Sequence, residues 1–400
     1  MKRACLTALV LLTMPAPAGA AGPRASHWVG AWATAPSNAG PSYAAQTVRL
    51  VVNTHRGGSR LRLRLSNRFG DAPLRIDRVS VARRAGGAAV SARSLRRVWF
   101  GGRRAVTLPR GADVVSDGVR LGVRPLADLA VSLYLRGPTT ASTLHQVANE
   151  VGSYVASGDR TGAASGTGFG SPSGAWPVLT GVEVRAPRRV GTVVAFGDSI
   201  TDGYQSWVAR RLGRRNTRWP DFLARRLLRR DRPLSVVNAG ISGNRLRLDG
   251  VPDIFGPSGL ARLDGDVLAV PGVRTAIVLE GINDIGQDPA AAPRQVIASL
   301  RQMVIRLRLA GIRALIGTLT PSGGNARPTY GSAEANARRN AVNRWIRTSG
   351  FADGVIDFDR AIRDPARPSR MHPWYDSGDH LHPNARGYRR MAAAVPLSAL

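Results

Sequence analysis

Residues 193–203 read V-V-A-F-G-D-S-I-T-D-G: an apolar run of strand type stops abruptly at Gly197-Asp198-Ser199, and a Thr/Asp/Gly-rich segment follows. A serine at the carboxyl end of a buried strand stands where open α/β sheets place their ligands. The surrounding pattern makes that sheet explicit. From residue 190 onward strands alternate with helices, and strands are predicted at 192–196, 235–239, 275–280, 312–319 and 355–358. Amphipathic helices are predicted between them. One spans 218–230, with Thr217 as N-cap and Pro220 in its first turn; others span 258–269 and 332–348, and a last one starts at Asn384. The clearest is capped by Asp288, with Pro289 first and Val296, Ile297, Leu300, Met303, Val304 and Leu307 in one stripe; Gly311 stops it. Five strands alternating with helices imply a mostly parallel sheet covered on both faces.

In a parallel sheet every strand delivers its succeeding loop to one edge. That edge collects Gly197-Asp198-Ser199, then Ser242-Gly243-Asn244, then Gly281-Ile282-Asn283-Asp284, and the loop Asp379-His380-Leu381-His382 can reach it. A serine hydroxyl needs a base to become a nucleophile. His382 can be that base, with Asp379 holding its other ring nitrogen. Attack on an ester carbonyl makes an oxyanion, for which the backbone N–H groups of Ser199 and Gly243 and the Asn283 amide are donors. His380 competes for the base role. Asp379, His380, His382 and His372 could alternatively form a metal cluster, a reading that leaves the serine motif unexplained. Thr201 stands where a G-x-S-x-G elbow would need glycine, which disfavours the nucleophile-elbow hydrolases.

The four blocks together resemble the GDSL, or SGNH, hydrolase family. Gly197-Asp198-Ser199-Ile200 matches the first block, with isoleucine for leucine; residues 238–244 match the second, Gly281-Ile282-Asn283-Asp284 the third, and Asp379-His380-Leu381-His382 the D-x-x-H block. The resemblance covers residues 190–400 and implies an SGNH-type, flavodoxin-like parallel sheet flanked by helices. It implies a carboxylic ester hydrolase without metal or organic cofactor. Ser199 would be nucleophile and first oxyanion donor, Gly243 and Asn283 the other donors, His382 the base, Asp379 its orienter, and Asp198 and Asp284 supporting carboxylates. The spacing match favours His382 over His380.

Residues 26–186 have a different pattern. Residues 60–65 alternate Arg and Leu strictly, and 47–53, 76–81, 119–123 and 129–135 also read as strands. Short strands at this spacing indicate a β-sandwich or jelly-roll-like domain, whose role the resemblance does not supply. Residues 26–37, with Trp28 and Trp32, read as a loop, and 157–174 as a mobile Gly/Ser/Thr-rich surface loop. His27, His55 and His145 read as structural or surface residues, and Tyr204, Trp219 and Phe255 as acyl-pocket or core residues.

The chain opens Lys2-Arg3, continues apolar to Met14 and then turns small-residue-rich, so residues 1–21 read as a signal peptide of a secreted protein, with Ala18-Gly19-Ala20 at the cleavage site. That apolar run falls short of the roughly 20 residues of a transmembrane anchor. The only cysteine, Cys5, leaves with it, which excludes disulfides and thiol chemistry from the mature chain. The net charge of +31 is carried by arginine, since Lys2 is the only lysine. Scattered arginines with no nucleic-acid-reading motif are read as compositional, or as a general affinity for anionic cell-envelope polymers, and not as nucleic-acid binding. The expected substrate is an acyl-lipid ester or an O-acetylated carbohydrate. The rival is a non-catalytic cell-envelope or carbohydrate-binding protein built on a hydrolase scaffold.

Overall fold

The structure is a computed structural model and describes residues 26–146, 152–206 and 215–400. The signal-peptide reading at residues 1–21 lies outside the described residues.

The carboxyl-terminal half is built on five parallel strands: β1 (Gly191–Gly197), β2 (Leu234–Gly240), β3 (Val273–Leu279), β4 (Arg313–Gly317) and β5 (Gly354–Ile356). Their spatial order is β2-β1-β3-β4-β5, and every neighbouring pair is parallel. The sheet is buried on both faces, as its near-continuous apolar strands require. One face packs Val194, Phe196, Val237 and Val278 against Val296, Leu300, Met303 and Leu307 of helix Pro293–Leu309. The other packs Val193, Ala195 and Ile277 against Trp219, Leu223, Tyr388 and Met391 of helices Trp219–Arg229 and Ala385–Ala394. Because β1 is flanked by β2 and β3, the segments after these three strands are neighbours in space.

Two helix starts differ from expectation. Arg218, not Thr217, is the N-cap of Trp219–Arg229, because Asp221 accepts from the Arg218 N–H at 2.9 Å. The helix expected from Asp288 begins at Pro293, where Gln295 accepts from the Ala292 N–H at 2.9 Å; Asp288 instead closes the short helix Ile282–Gln287. Both prolines suit a first helical position, and the earlier one is unused because residues 282–287 already form a helix.

The amino-terminal half is antiparallel. One sheet runs Ser26–Ala33, Leu179–Pro187, Leu61–Ser66, Asp113–Val115; a second centres on Gln46–Thr54, Ala127–Leu135 and Arg78–Gly86. Side chains from both sheets fill one core, with Leu61, Leu63 and Leu65 fully buried in it. The intervening Arg62 and Arg64 pair with the buried Glu183 on the neighbouring strand. Residues 26–33, expected as a loop, are a strand, made so by pairing with Leu179–Pro187 some 150 residues onward. Residues 119–123 form two isolated bridges, not a strand, although Val119, Leu121 and Val123 are buried. The loop after Ser157 is tied down at its start: buried Arg49 donates to the carbonyls of Arg160 at 2.9 Å and Ala163 at 2.7 Å.

The halves meet closely. At Gly30 an added Cβ would sit 3.1 Å from both Val237 and Val270, and the Gly30 N–H donates to Pro271 and to the Thr192 hydroxyl, each at 3.1 Å. His55 crosses from the amino-terminal half, its ring nitrogens 2.7 Å from the Val236 carbonyl and 3.0 Å from Asp221. It is an interface residue, not a surface one.

Candidate active site

β1 ends at Gly197, and a one-turn helix, Ser199–Asp202, starts at once. The turn is tight: a Cβ on Gly197 would meet the Thr201 hydroxyl at 2.2 Å and the Leu279 carbonyl at 2.6 Å. Asp198 caps the helix, accepting from the Ile200 N–H at 2.8 Å. Burial, reinforced by the charges of Asp284 and Asp202 against the opposing Ile200 N–H and Arg262, pushes its carboxyl up to about 7. This local structure sets Ser199 at the first helical position, at the carboxyl edge of the sheet.

Ser199 Oγ lies 2.8 Å from His382 Nε2, and His382 Nδ1 lies 2.6 Å from Asp379 Oδ2. The carboxylate fixes the tautomer: Nδ1 donates to Asp379, so Nε2 of the neutral ring accepts the Ser199 proton. Burial tends to raise the Asp379 carboxyl. The hydrogen bonds and charge of His382, with the backbone N–H groups of His382 and Leu381, outweigh it and hold that carboxyl well below the usual range. Asp379 is therefore ionised wherever His382 can act as a base. Tyr204 packs on the His382 ring, with centroids 4.5 Å apart. His380 turns elsewhere. It is exposed, adopts a left-handed φ of 59°, and binds Asp376 at 2.6 Å. The two histidines thus take different carboxylates, and only His382 faces the serine.

The three donors also converge. Gly243 has φ 79°, and a Cβ there would meet the Phe255 ring at 2.2 Å, so glycine is required on both counts. Among the described residues the backbone N–H groups of Ser199 and Gly243 have no acceptor, which leaves both available to an oxyanion. Asn283, on helix Ile282–Gln287, donates one amide hydrogen to the Asn244 carbonyl at 2.8 Å and keeps the other free. Ser199, Gly243, Asn283 and His382 line one open cleft of about 1070 Å³. Asp284 braces the loop after β2, not its own: it accepts from the N–H groups of Leu246 at 2.7 Å and Arg247 at 3.0 Å.

Comparison with known proteins agrees with this geometry, because residues 195–390 match the GDSL-like lipase/acylhydrolase family. The carboxyl-terminal half is a GDSL hydrolase domain. The chain is accordingly a carboxylic ester hydrolase by class. No curated protein matches the sequence. Among solved structures the chain is similar to the M. smegmatis aryl esterase, at 16% identity over 51% of this chain and 96% of that one, TM-score 0.41. It is similar to a carbohydrate acetylesterase from Sinorhizobium meliloti at 17% identity over 51% and 95%, TM-score 0.39. A G-D-S-L-family protein from Desulfitobacterium hafniense shares 22% identity over 51% and 96%, TM-score 0.37.

Two residues of the GDSL domain carry roles that the sequence did not announce. The Tyr330 hydroxyl donates to Asn283 Oδ1 at 2.8 Å, which fixes the amide so that its NH₂ group, not its oxygen, is presented to the cleft. Arg262, fully buried over the Phe196 ring, ties together the ends of three strands. It donates to the carbonyls of Gly197 at 2.9 Å and Ala239 at 2.7 Å, to Glu280 at 3.1 Å and to Asn244 Oδ1 at 2.8 Å. Burial raises the Glu280 carboxyl well above its ordinary value, with neighbouring Asp198 adding to the effect against Arg262. Replacing Tyr330 with phenylalanine leaves the Asn283 amide held only by its bond to the Asn244 carbonyl. It is expected to lower kcat about tenfold, with KM little changed, in steady-state assays on p-nitrophenyl acetate.

Proposed function

We propose that the protein is an exported serine esterase that cleaves short-acyl esters, O-acetylated carbohydrate foremost, through an acyl-enzyme. The observation that carries this reading is the hydrogen-bonded row Ser199–His382–Asp379, set beside three donors on an open cleft. Ser199 Oγ attacks the ester carbonyl while its proton passes to His382 Nε2. Asp379 stabilises the resulting imidazolium without taking the proton. Charge on the carbonyl oxygen is met by the N–H groups of Ser199 and Gly243 and the Asn283 amide. As the tetrahedral intermediate collapses, the C–O bond to the alcohol breaks and His382 returns the proton to the departing oxygen. Water then repeats the sequence on the acyl-enzyme: it gives a proton to His382, and Ser199 recovers one as the acid leaves.

Arg245, Gln287, Asn325 and Arg327, among the residues that line the cleft, support a polar alcohol such as a sugar. The strand order of the parallel sheet supports a flavodoxin-like assignment, and the two antiparallel sheets support a sandwich or jelly-roll-like reading of residues 26–186. Export rests on the composition of residues 1–21. Among the described residues no helix is long and apolar enough to cross a membrane.

A second reading, hydrolysis of acyl lipids, is favoured by the exposed Val251 at the cleft. An ester series from p-nitrophenyl acetate to dodecanoate, run beside acetate release from acetylated xylan, separates the two. The carbohydrate reading expects acetate release and a fall in kcat/KM of about tenfold or more by dodecanoate. A rise with chain length and no acetate release would establish the lipid reading in its place.

A further inference from the structure

The amino-terminal half sends one side chain to the catalytic apparatus. His145, at the end of strand Ser142–His145, is buried, with its ring against Trp176. Its Nδ1 lies 2.7 Å from the Ala35 carbonyl, and its Nε2 lies 3.3 Å from Asp202 Oδ1. A carbonyl oxygen only accepts, so Nδ1 carries a proton; Nε2 faces a carboxylate and donates too. Asp202 is the last residue of the one-turn helix that Ser199 begins. Its other oxygen, Oδ2, accepts from the Ser242 hydroxyl at 2.7 Å.

Ser242 shares a peptide unit with Gly243, whose N–H belongs to that unit. On its far side, the Gly243 carbonyl accepts from Gln287 Nε2 at 2.8 Å. The donor is therefore held from two sides, by Asp202 through Ser242 and by Gln287 through the next peptide. Asp202 is 2% exposed, so it depends on protein groups to compensate its charge, and His145 supplies one from the β-rich half.

We propose that His145 is a positioning residue for ester hydrolysis, aiming the Gly243 oxyanion donor through Asp202 and Ser242, and that the β-rich half is in this way an integral part of the active site. The proposal rests on the acyl-enzyme reading above. It gives residues 26–186 a role at the chemistry itself, in addition to any contact with a polymer.

The test compares two replacements of one ring. Glutamine places its amide nitrogen near the position of Nε2 and can still donate to Asp202; asparagine places its own near Nδ1 and can still donate to Ala35. Full-length His145→Gln, His145→Asn, Ser242→Ala and the double variant His145→Asn/Ser242→Ala are titrated with diethyl p-nitrophenyl phosphate to count competent sites. The kcat and KM for p-nitrophenyl acetate are then measured per titrated site, so that partial misfolding does not enter the rate. Loss of a whole oxyanion donor costs roughly 10²–10³ in rate, so a misaimed one is expected to cost about 10–100-fold in kcat with KM little changed. His145→Asn and Ser242→Ala should each show that loss, the double variant no more than either alone, and His145→Gln should recover to within about threefold of wild type. Equal kcat per site in His145→Asn and wild type would overturn the proposal, as would multiplicative losses in the double variant. A wild type that forms no stoichiometric adduct would instead remove the acyl-enzyme reading beneath it.

Discussion

Ser199→Ala is expected to lower kcat for p-nitrophenyl acetate by roughly 10⁴–10⁶-fold, the range seen when the nucleophile of such a triad is removed. The residual rate reflects the catalysis that the donors and His382 achieve with water alone. The variant should fold normally. The serine hydroxyl bonds only to His382 among the described residues, while the helix that begins at Ser199 keeps its Asp198 cap, and the Ser199 backbone N–H is untouched. Circular dichroism and the thermal midpoint should therefore match wild type. A folded variant with wild-type turnover would remove Ser199 from the role of nucleophile.

His382→Ala is expected to cost roughly 10⁴-fold or more in kcat, and His380→Ala no more than about threefold. The two lie two residues apart in one loop, and the sequence favours His382 as the base by its spacing alone. Geometry separates them. His382 Nε2 lies 2.8 Å from Ser199 Oγ, and Asp379 grips the same ring at Nδ1, at 2.6 Å. His380 is 46% exposed and bonded to Asp376. The pair is a matched control, because a general disturbance of the loop would damage both variants alike. The opposite order of losses would reassign the base to His380 and require the loop to rearrange in solution.

Much of this site is legible in the sequence for one physical reason. Parallel strands all end at the same edge, so short motifs placed after consecutive strands converge whatever their separation along the chain. That rule alone brings Ser199, Gly243 and Asn283 together, and the D-x-x-H spacing suits Asp379 and His382 to one loop. The sequence conceals those partners that have no strand end to mark them. Tyr330 reaches Asn283 across 47 residues from a short helix with no motif of its own. Arg262 is one basic residue among 57, and nothing in its neighbours says that it is buried beneath three strand ends. His145 looks like any other histidine of a β-rich segment until Asp202 is seen beside it. The strand Ser26–Ala33 is concealed similarly: its hydrogen bonds go to Leu179–Pro187, and a pairing so distant leaves no local signal. Helix starts fail for the opposite reason. The local signal at Asp288-Pro289 is the better one, since aspartate caps a helix and alanine does not, yet tertiary context chose Ala292-Pro293.

The central claim is that Ser199 forms a covalent intermediate. Its most direct test is peptide mapping by mass spectrometry after reaction of the full-length protein with diethyl p-nitrophenyl phosphate. The expected result is one diethylphosphoryl group per chain, on the peptide that contains Ser199, appearing in step with loss of esterase activity and absent from Ser199→Ala. Inactivation with the label on another residue, or an equal label on Ser199→Ala, would contradict the assignment of Ser199 as the nucleophile.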